Sequence, residues 1–107
     1  MSVQRALTLA QNEEPRSAYQ CNHVVNYALN GDKNVGGLAS SYLNWGSQVT
    51  ASPQGGDVVV GNDGKHVGIF VSSTEFVHSS SSKGKVIKVG LDQLKYVFPS
   101  GYQIRRK

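Results

Sequence analysis

Two β-rich runs, His66–Val71 and Phe76–His78, flank the polar break Ser72-Ser73, and together they constrain what this chain can become. Side chains alternate faces along an extended strand, so His66, Gly68 and Phe70 share one face while Val67, Ile69 and Val71 share the other. A hairpin pairs both runs at once. Folding it about Ser72 brings His78 back to nearly the level of His66. Upstream, Asp57-Val58-Val59-Val60 reads as a short buried strand, and Asn62-Asp63-Gly64 is a turn signal feeding the strand that starts at His66.

The first 14 residues suggest a turn or two of helix ending at Glu13-Glu14-Pro15. Ser17-Ala18-Tyr19-Gln20 has the S-x-x-Q form of a capping box, with Ser17 as N-cap and Gln20 reaching back. The helix that follows carries Val24, Val25, Ala28 and Leu29 on one stripe, puts Cys21 in its first turns, and ends at Asn30-Gly31. Gly31 to Gly37 is a loop, and Leu38, Tyr42 and Trp45 form a second short helix that stops at Gly46. Ser47 to Gly56 reads as turns. After His78, Ser79 to Gly84 reads as a polar connection, Lys85 to Val89 as a strand, Leu91 to Val97 as a helical turn and Gly101 to Arg105 as a closing strand. Helices first and antiparallel strands after them predict an α+β fold of one domain over residues 1–107.

Cys21 is the only cysteine, so no internal disulfide exists and the fold stands on packing. A thiol becomes a nucleophile as thiolate, and a helix N-terminus or a nearby imidazolium lowers its pKa. With two histidines on adjacent strands, one can act as base and the other as its orienter. The bland reading of Cys21 is a small buried side chain, and of each histidine a satisfied strand residue. A zinc set of Cys21, His23, His66 and His78 is disfavoured, because Cys21 and His23, two apart on a helix, point in different directions. His23 reads as a solvated or capping residue. No metal and no cofactor is expected.

Eleven Lys and Arg against seven Asp and Glu give a net charge of +4, which suits an anionic surface such as a bacterial envelope. Three of the positive charges lie in Arg105-Arg106-Lys107, a solvated tail that makes a poor case for nucleic-acid binding. No apolar run approaches the roughly 20 residues of a membrane span. Met1–Ala10 is too short and polar for a signal-peptide core, which leaves three readings open: a cytosolic product, a mature form, or cargo secreted or delivered by a route without a cleaved signal.

Gly56-Asp57-Val58-Val59-Val60, then His66-Val67-Gly68-Ile69-Phe70-Val71, then Phe76-Val77-His78-Ser79-Ser80, downstream of Cys21, resembles the signature of the NlpC/P60 family over roughly residues 17–90. These are papain-like cysteine peptidases of bacterial cell-wall peptides. The resemblance implies a papain-like fold, with N-terminal helices packed on an antiparallel sheet. It implies Cys21 as nucleophile, His66 as general base and His78 as the orienting residue. Tyr19 and Gln20 stand nearest to the place of the oxyanion site. Where the family usually has Asp-Cys-Ser, this chain has Gln20-Cys21-Asn22. The implied substrate is a peptidoglycan stem peptide, cut between γ-D-glutamyl and the following diamino acid. A compact domain of this kind is similar to amidase toxins injected into competing bacteria, or to relatives acquired by other organisms, with an inhibitor or immunity protein as a candidate partner. A monomer is expected. The alternatives are an acyltransferase and a non-catalytic binding module on the same fold.

Overall fold

The computed structural model describes residues 2–107. Two helices come first, α1 (Ser2–Gln11) and α2 (Cys21–Asn30), then a 3-10 segment at Ala39–Asn44. The strands are β1 (Ser47–Val49), β2 (Val58–Gly61), β3 (Val67–Phe70), β4 (Glu75–Ser80), β5 (Lys85–Gly90) and β6 (Tyr102–Arg106). A short helical stretch ending in α3 (Leu94–Val97) joins β5 to β6. All strand pairs are antiparallel, in the order β1-β6-β2-β3-β4-β5. The α+β fold with helices packed on an antiparallel sheet is as expected.

Strand alternation explains why the sheet is covered on both faces. Val58, Val60, Val67, Ile69, Val77 and Val86 point to one side, where Val24, Val25 and Ala28 of α2 and Ala6 and Leu9 of α1 bury against them. Val59, Phe70 and Phe76 point to the other, under Leu94 and Phe98. At about 25 cal/mol per Å² of apolar surface, this two-sided burial stabilises a chain without any disulfide.

The N-terminus of α2 differs from the expected capping box. Gln20, not Ser17, is the N-cap, and the Gln20 N–H donates to Nδ1 of His23 at 3.3 Å. Ser17 is unavailable because its neighbours are committed to a turn docked on β5. The N–H groups of Ala18 and Tyr19 both donate to the Pro15 carbonyl, that of Arg16 donates to Gly84, and Pro15 bridges to Lys85. Cys21 therefore becomes the first helical residue. At the other end, Gly31 closes α2 in the left-handed region, with φ 77°.

Four further expectations shift. The hairpin of β3 and β4 pairs Ile69 with Val77 and Phe70 with Phe76, so it pivots about Ser73 rather than Ser72. The hydroxyl of Ser72 accepts from the N–H groups of Thr74 and Glu75, which makes the tip one residue longer. Ser79 and Ser80 belong to β4, paired with Val86 and Lys85, and the connection shrinks to the turn that follows. Ser47–Val49, read as turn, is an edge strand on β6. Leu38, placed on the apolar stripe of the second helix, is 71% exposed and only precedes the 3-10 segment.

Ser79 is fully buried, and its hydroxyl finds no hydrogen-bond partner among the described residues. An unmet buried hydroxyl costs about 1–3 kcal/mol. Ser79→Ala should therefore raise stability by about 1 kcal/mol in urea unfolding, and a loss of more than that would show that the hydroxyl is satisfied.

Candidate functional site

The register that pairs Ile69 with Val77 continues to place Gly68 opposite His78, with His66 two residues beyond along β3. Gly68 makes the diagonal contact feasible. A Cβ there would lie 3.3 Å from the His78 Cβ and 3.0 Å from the Val77 carbonyl oxygen. In the space left open the two imidazoles meet edge to face, and His66 Nε2 lies 3.0 Å from His78 Nδ1. Phe98 packs at 5.5 Å from the His66 ring and Phe76 at 5.6 Å from the His78 ring, which holds both in place.

Cys21 reaches the start of β3 from the α2 side, while the imidazoles stand on the face shared with Phe76 and Phe98. Its Sγ lies 3.8 Å from the carbonyl oxygen of Lys65, the residue before His66. Sulfur and dyad are thus brought to the same strand end from opposite faces. Among the described residues no hydrogen bond joins Cys21 Sγ to His66. With His66 Nε2 engaged by His78, Nδ1 is the ring nitrogen left for the thiol.

Burial raises the Cys21 thiol above its usual range. The N–H groups of Val67, Asn22 and Cys21 itself, and the Arg16 charge, oppose this but do not overcome it. The expected lowering by the helix N-terminus is present in the N–H groups of Cys21 and Asn22, joined by that of Val67 on β3, and desolvation outweighs all three. Burial likewise lowers His66, assisted by the Arg16 charge and opposed by Asp63. His78 is pushed down to about 4 by burial and by its neighbour His66. The resting site is a neutral thiol beside two neutral imidazoles. A neutral pair bonded Nε2 to Nδ1 needs one donor and one acceptor. If Nδ1 of His66 is to take a proton, His66 Nε2–H must donate and His78 Nδ1 accept.

The other residues singled out lie around this centre. Gln20 is exposed, and its N–H is spent on His23. The Tyr19 ring sits edge-on to Tyr27, at 5.9 Å, with the Lys33 ammonium over it, and no hydrogen bond ties its hydroxyl to the site. His23 acts as a cap, so the four-residue zinc set is not assembled.

Sequence reasoning missed the polar seam of α2. Asn22, Asn26 and Asn30 recur every four residues and all donate to the loop beyond the helix, at Gly37, at Lys33 and Gly37, and at Val35. The Tyr42 hydroxyl donates in turn to Asn26 Oδ1 at 2.5 Å. The spacing of the asparagines was the available signal. It pins the loop along the length of α2, from Asn22 beside Cys21 to Asn30 at the helix end. Asp57 of the Gly-Asp pair is buried and structural. It accepts a two-pronged contact from Arg106, both distances 2.8 Å, and caps the Gln54 N–H.

Stability should depend on the dyad. His78 titrates near 6.5 when unfolded and near 4 when folded, so between these values the unfolded chain binds more protons. The contribution of its neutral form is complete above pH 6.5 and vanishes as the pH falls through 4. Urea unfolding should show a loss of about 3 kcal/mol across that window, largely absent in His78→Asn; a flat profile in the parent protein would contradict the buried neutral pair.

No protein-family model matches the sequence, and no curated protein matches it either. Solved structures do. The peptidoglycan hydrolase RipB from Mycobacterium tuberculosis aligns with a TM-score of 0.70 at 19% identity, over 98% of this chain and 64% of that one. NlpC2 from Trichomonas vaginalis aligns with a TM-score of 0.64 at 20% identity, over 98% of this chain and 46% of that one. The chain thus spans under two thirds of RipB and about half of NlpC2. Helices on a six-stranded antiparallel sheet, matched along nearly the whole chain, identify the architecture as the NlpC/P60 fold.

Proposed function

We propose that this protein is a cysteine amidase or endopeptidase that hydrolyses peptidoglycan stem peptides, with Cys21 as nucleophile, His66 as general base and His78 as orienter. The observation that carries the reading is the 3.0 Å bond from His66 Nε2 to His78 Nδ1, with the Cys21 sulfur next to the Lys65 carbonyl at the same strand end. The likeness in fold to a peptidoglycan hydrolase supports the substrate class.

In this mechanism His66 Nδ1 takes the thiol proton as the sulfur attacks the amide carbonyl carbon. The imidazolium formed donates through Nε2–H to the neutral His78. The oxyanion meets the Cys21 N–H, a first-turn group without a helical partner. His66 then passes its proton to the leaving nitrogen, the C–N bond breaks, and a thioester remains on Cys21. Water, deprotonated by His66, attacks the thioester carbonyl, and the sulfur leaves as the free thiol. The bond cut is that between γ-D-glutamyl and a diamino acid, and the protein acts as a wall-directed toxin or effector with a cognate inhibitor.

The raised thiol pKa favours one competing reading, a non-catalytic module on this fold. Thiol reactivity separates the two. On the catalytic reading, iodoacetamide alkylates Cys21, and the rate climbs with pH through a pKa above that of an ordinary cysteine. A thiol that stays unreactive across the alkaline range supports the module.

Digestion of purified peptidoglycan, with products identified by mass spectrometry, tests the reaction itself. Cys21→Ala should abolish stem-peptide cleavage with the fold intact, and His66→Ala should reduce it about 10²–10⁴-fold, the usual contribution of a positioned acid–base group. His78→Asn should cost less, because nucleophile and base remain. Undiminished cleavage by Cys21→Ala would end the proposal.

A further inference from the structure

A cavity of about 520 Å³ opens beside the dyad, lined by His66 and His78 but not by Cys21. Its inner wall is apolar, with Ile87, Val89, Val97 and Phe98, and its rim is the turn after β4. That turn is internally braced. The Ser80 hydroxyl lies 3.2 Å from that of Ser82 and accepts from the Lys83 N–H at 3.1 Å.

The mechanism proposed above gives this cavity a side. His66 protonates the leaving nitrogen, so the amine half of the substrate must start at His66 and extend away from the sulfur. The cavity lies there. The amine half released from a peptide is an amino acid or a longer fragment, and unless blocked it carries a carboxylate.

The polar groups around the cavity match that charge. His78 lines it with Nδ1 already taken by His66, which leaves Nε2–H as an unspent donor. Ser81, Ser82, Lys65 and Lys83 add further donors. Arg16 stands at the same turn, held by its N–H to the Gly84 carbonyl at 3.0 Å. Among the described residues, Arg16, Lys65 and Lys83 take part in no ion pair, whereas Lys85, Lys88 and Arg106 each do. The single carboxylate of the lining, Asp63, accepts the Lys65 N–H through Oδ1.

We propose that this cavity is the leaving-group subsite, and that Lys83, with His78 Nε2–H and the serine hydroxyls of its turn, holds a free carboxylate on the leaving half of the substrate. The assignment rests on the amidase reading for its direction, and it makes Lys83 a specificity-determining residue. Substrates amidated at that carboxylate lose a charge-assisted contact and bind more weakly.

Binding to the Cys21→Ala protein tests the subsite without requiring turnover. The probes are L-lysyl-D-alanine and its C-terminal amide, followed by NMR titration of the His78 ring. The free acid should shift the His78 signal and bind about 10-fold more tightly than the amide. Lys83→Ala should erase that difference, and Lys83→Arg should restore most of it. Equal affinities, binding that leaves His78 unmoved, a preference that survives Lys83→Ala, or no binding of either probe up to about 10 mM would overturn the assignment. Carboxylate-dependent binding by a protein that digests no peptidoglycan would keep Lys83 and His78 as a carboxylate site and remove the amidase reading together with the leaving-group assignment. Digestion accompanied by equal affinities would do the reverse.

Discussion

Burial of Val24, Val25 and Ala28 of α2 against Val67, Ile69 and Val77 is the contact on which the rest depends. Interiors of this kind are close-packed, so a helix seated by three small side chains has little freedom to slide or turn. Its first residue is Cys21, and the seat therefore decides where the sulfur stands relative to the end of β3. The same β-strand sends Gly68 and Phe70 to the opposite face, where the histidines are held by aromatic rings. The β3 strand thus stands between the two halves of the site.

The site is built to be neutral at rest. Desolvation works against charge on the thiol and on both imidazoles, and it outweighs the N–H groups of Val67, Asn22 and Cys21 that favour a thiolate. A neutral orienter differs from a carboxylate in one respect that matters. It accepts a hydrogen bond from His66 without setting a negative charge beside it, so burial and the Arg16 charge keep the His66 pKa below its usual range. Under the proposed reaction, charge then appears on sulfur and imidazole only as the substrate displaces water from the strand end, where the freed N–H groups of α2 meet it.

The surroundings show how a small domain holds such a centre without a disulfide. The asparagine seam of α2 ties down the loop after the helix, Asp57 and Arg106 join the start of β2 to the closing strand, and the Pro15–Arg16 segment is stitched to β5. Each tie uses backbone groups or buried polar atoms that need a partner in any case, so fastening the site adds little beyond the ordering of the chain.

Much of this was legible in the residues. Alternation in His66–Val71 and Phe76–His78 sets the hairpin and its buried faces, because a strand has a period of two whatever surrounds it. The stripe of Val24, Val25 and Ala28 sets a helix with Cys21 near its start, and the lone cysteine excludes a disulfide. Both follow from local geometry and composition. Tertiary structure decided the rest. Whether the helix begins at Ser17 or Gln20 depended on the docking of Pro15 and Arg16 on a strand nearly seventy residues away. Whether the hairpin turns on Ser72 or Ser73 went with the two bonds that the Ser72 hydroxyl accepts at its tip. The thiol's charge state depended on how much water the packed sheet excludes, a quantity no local pattern contains. The cavity beside His78 exists only because β4, β5 and the segment around Phe98 close around it, and distant segments are brought together by the whole fold rather than by any stretch of sequence.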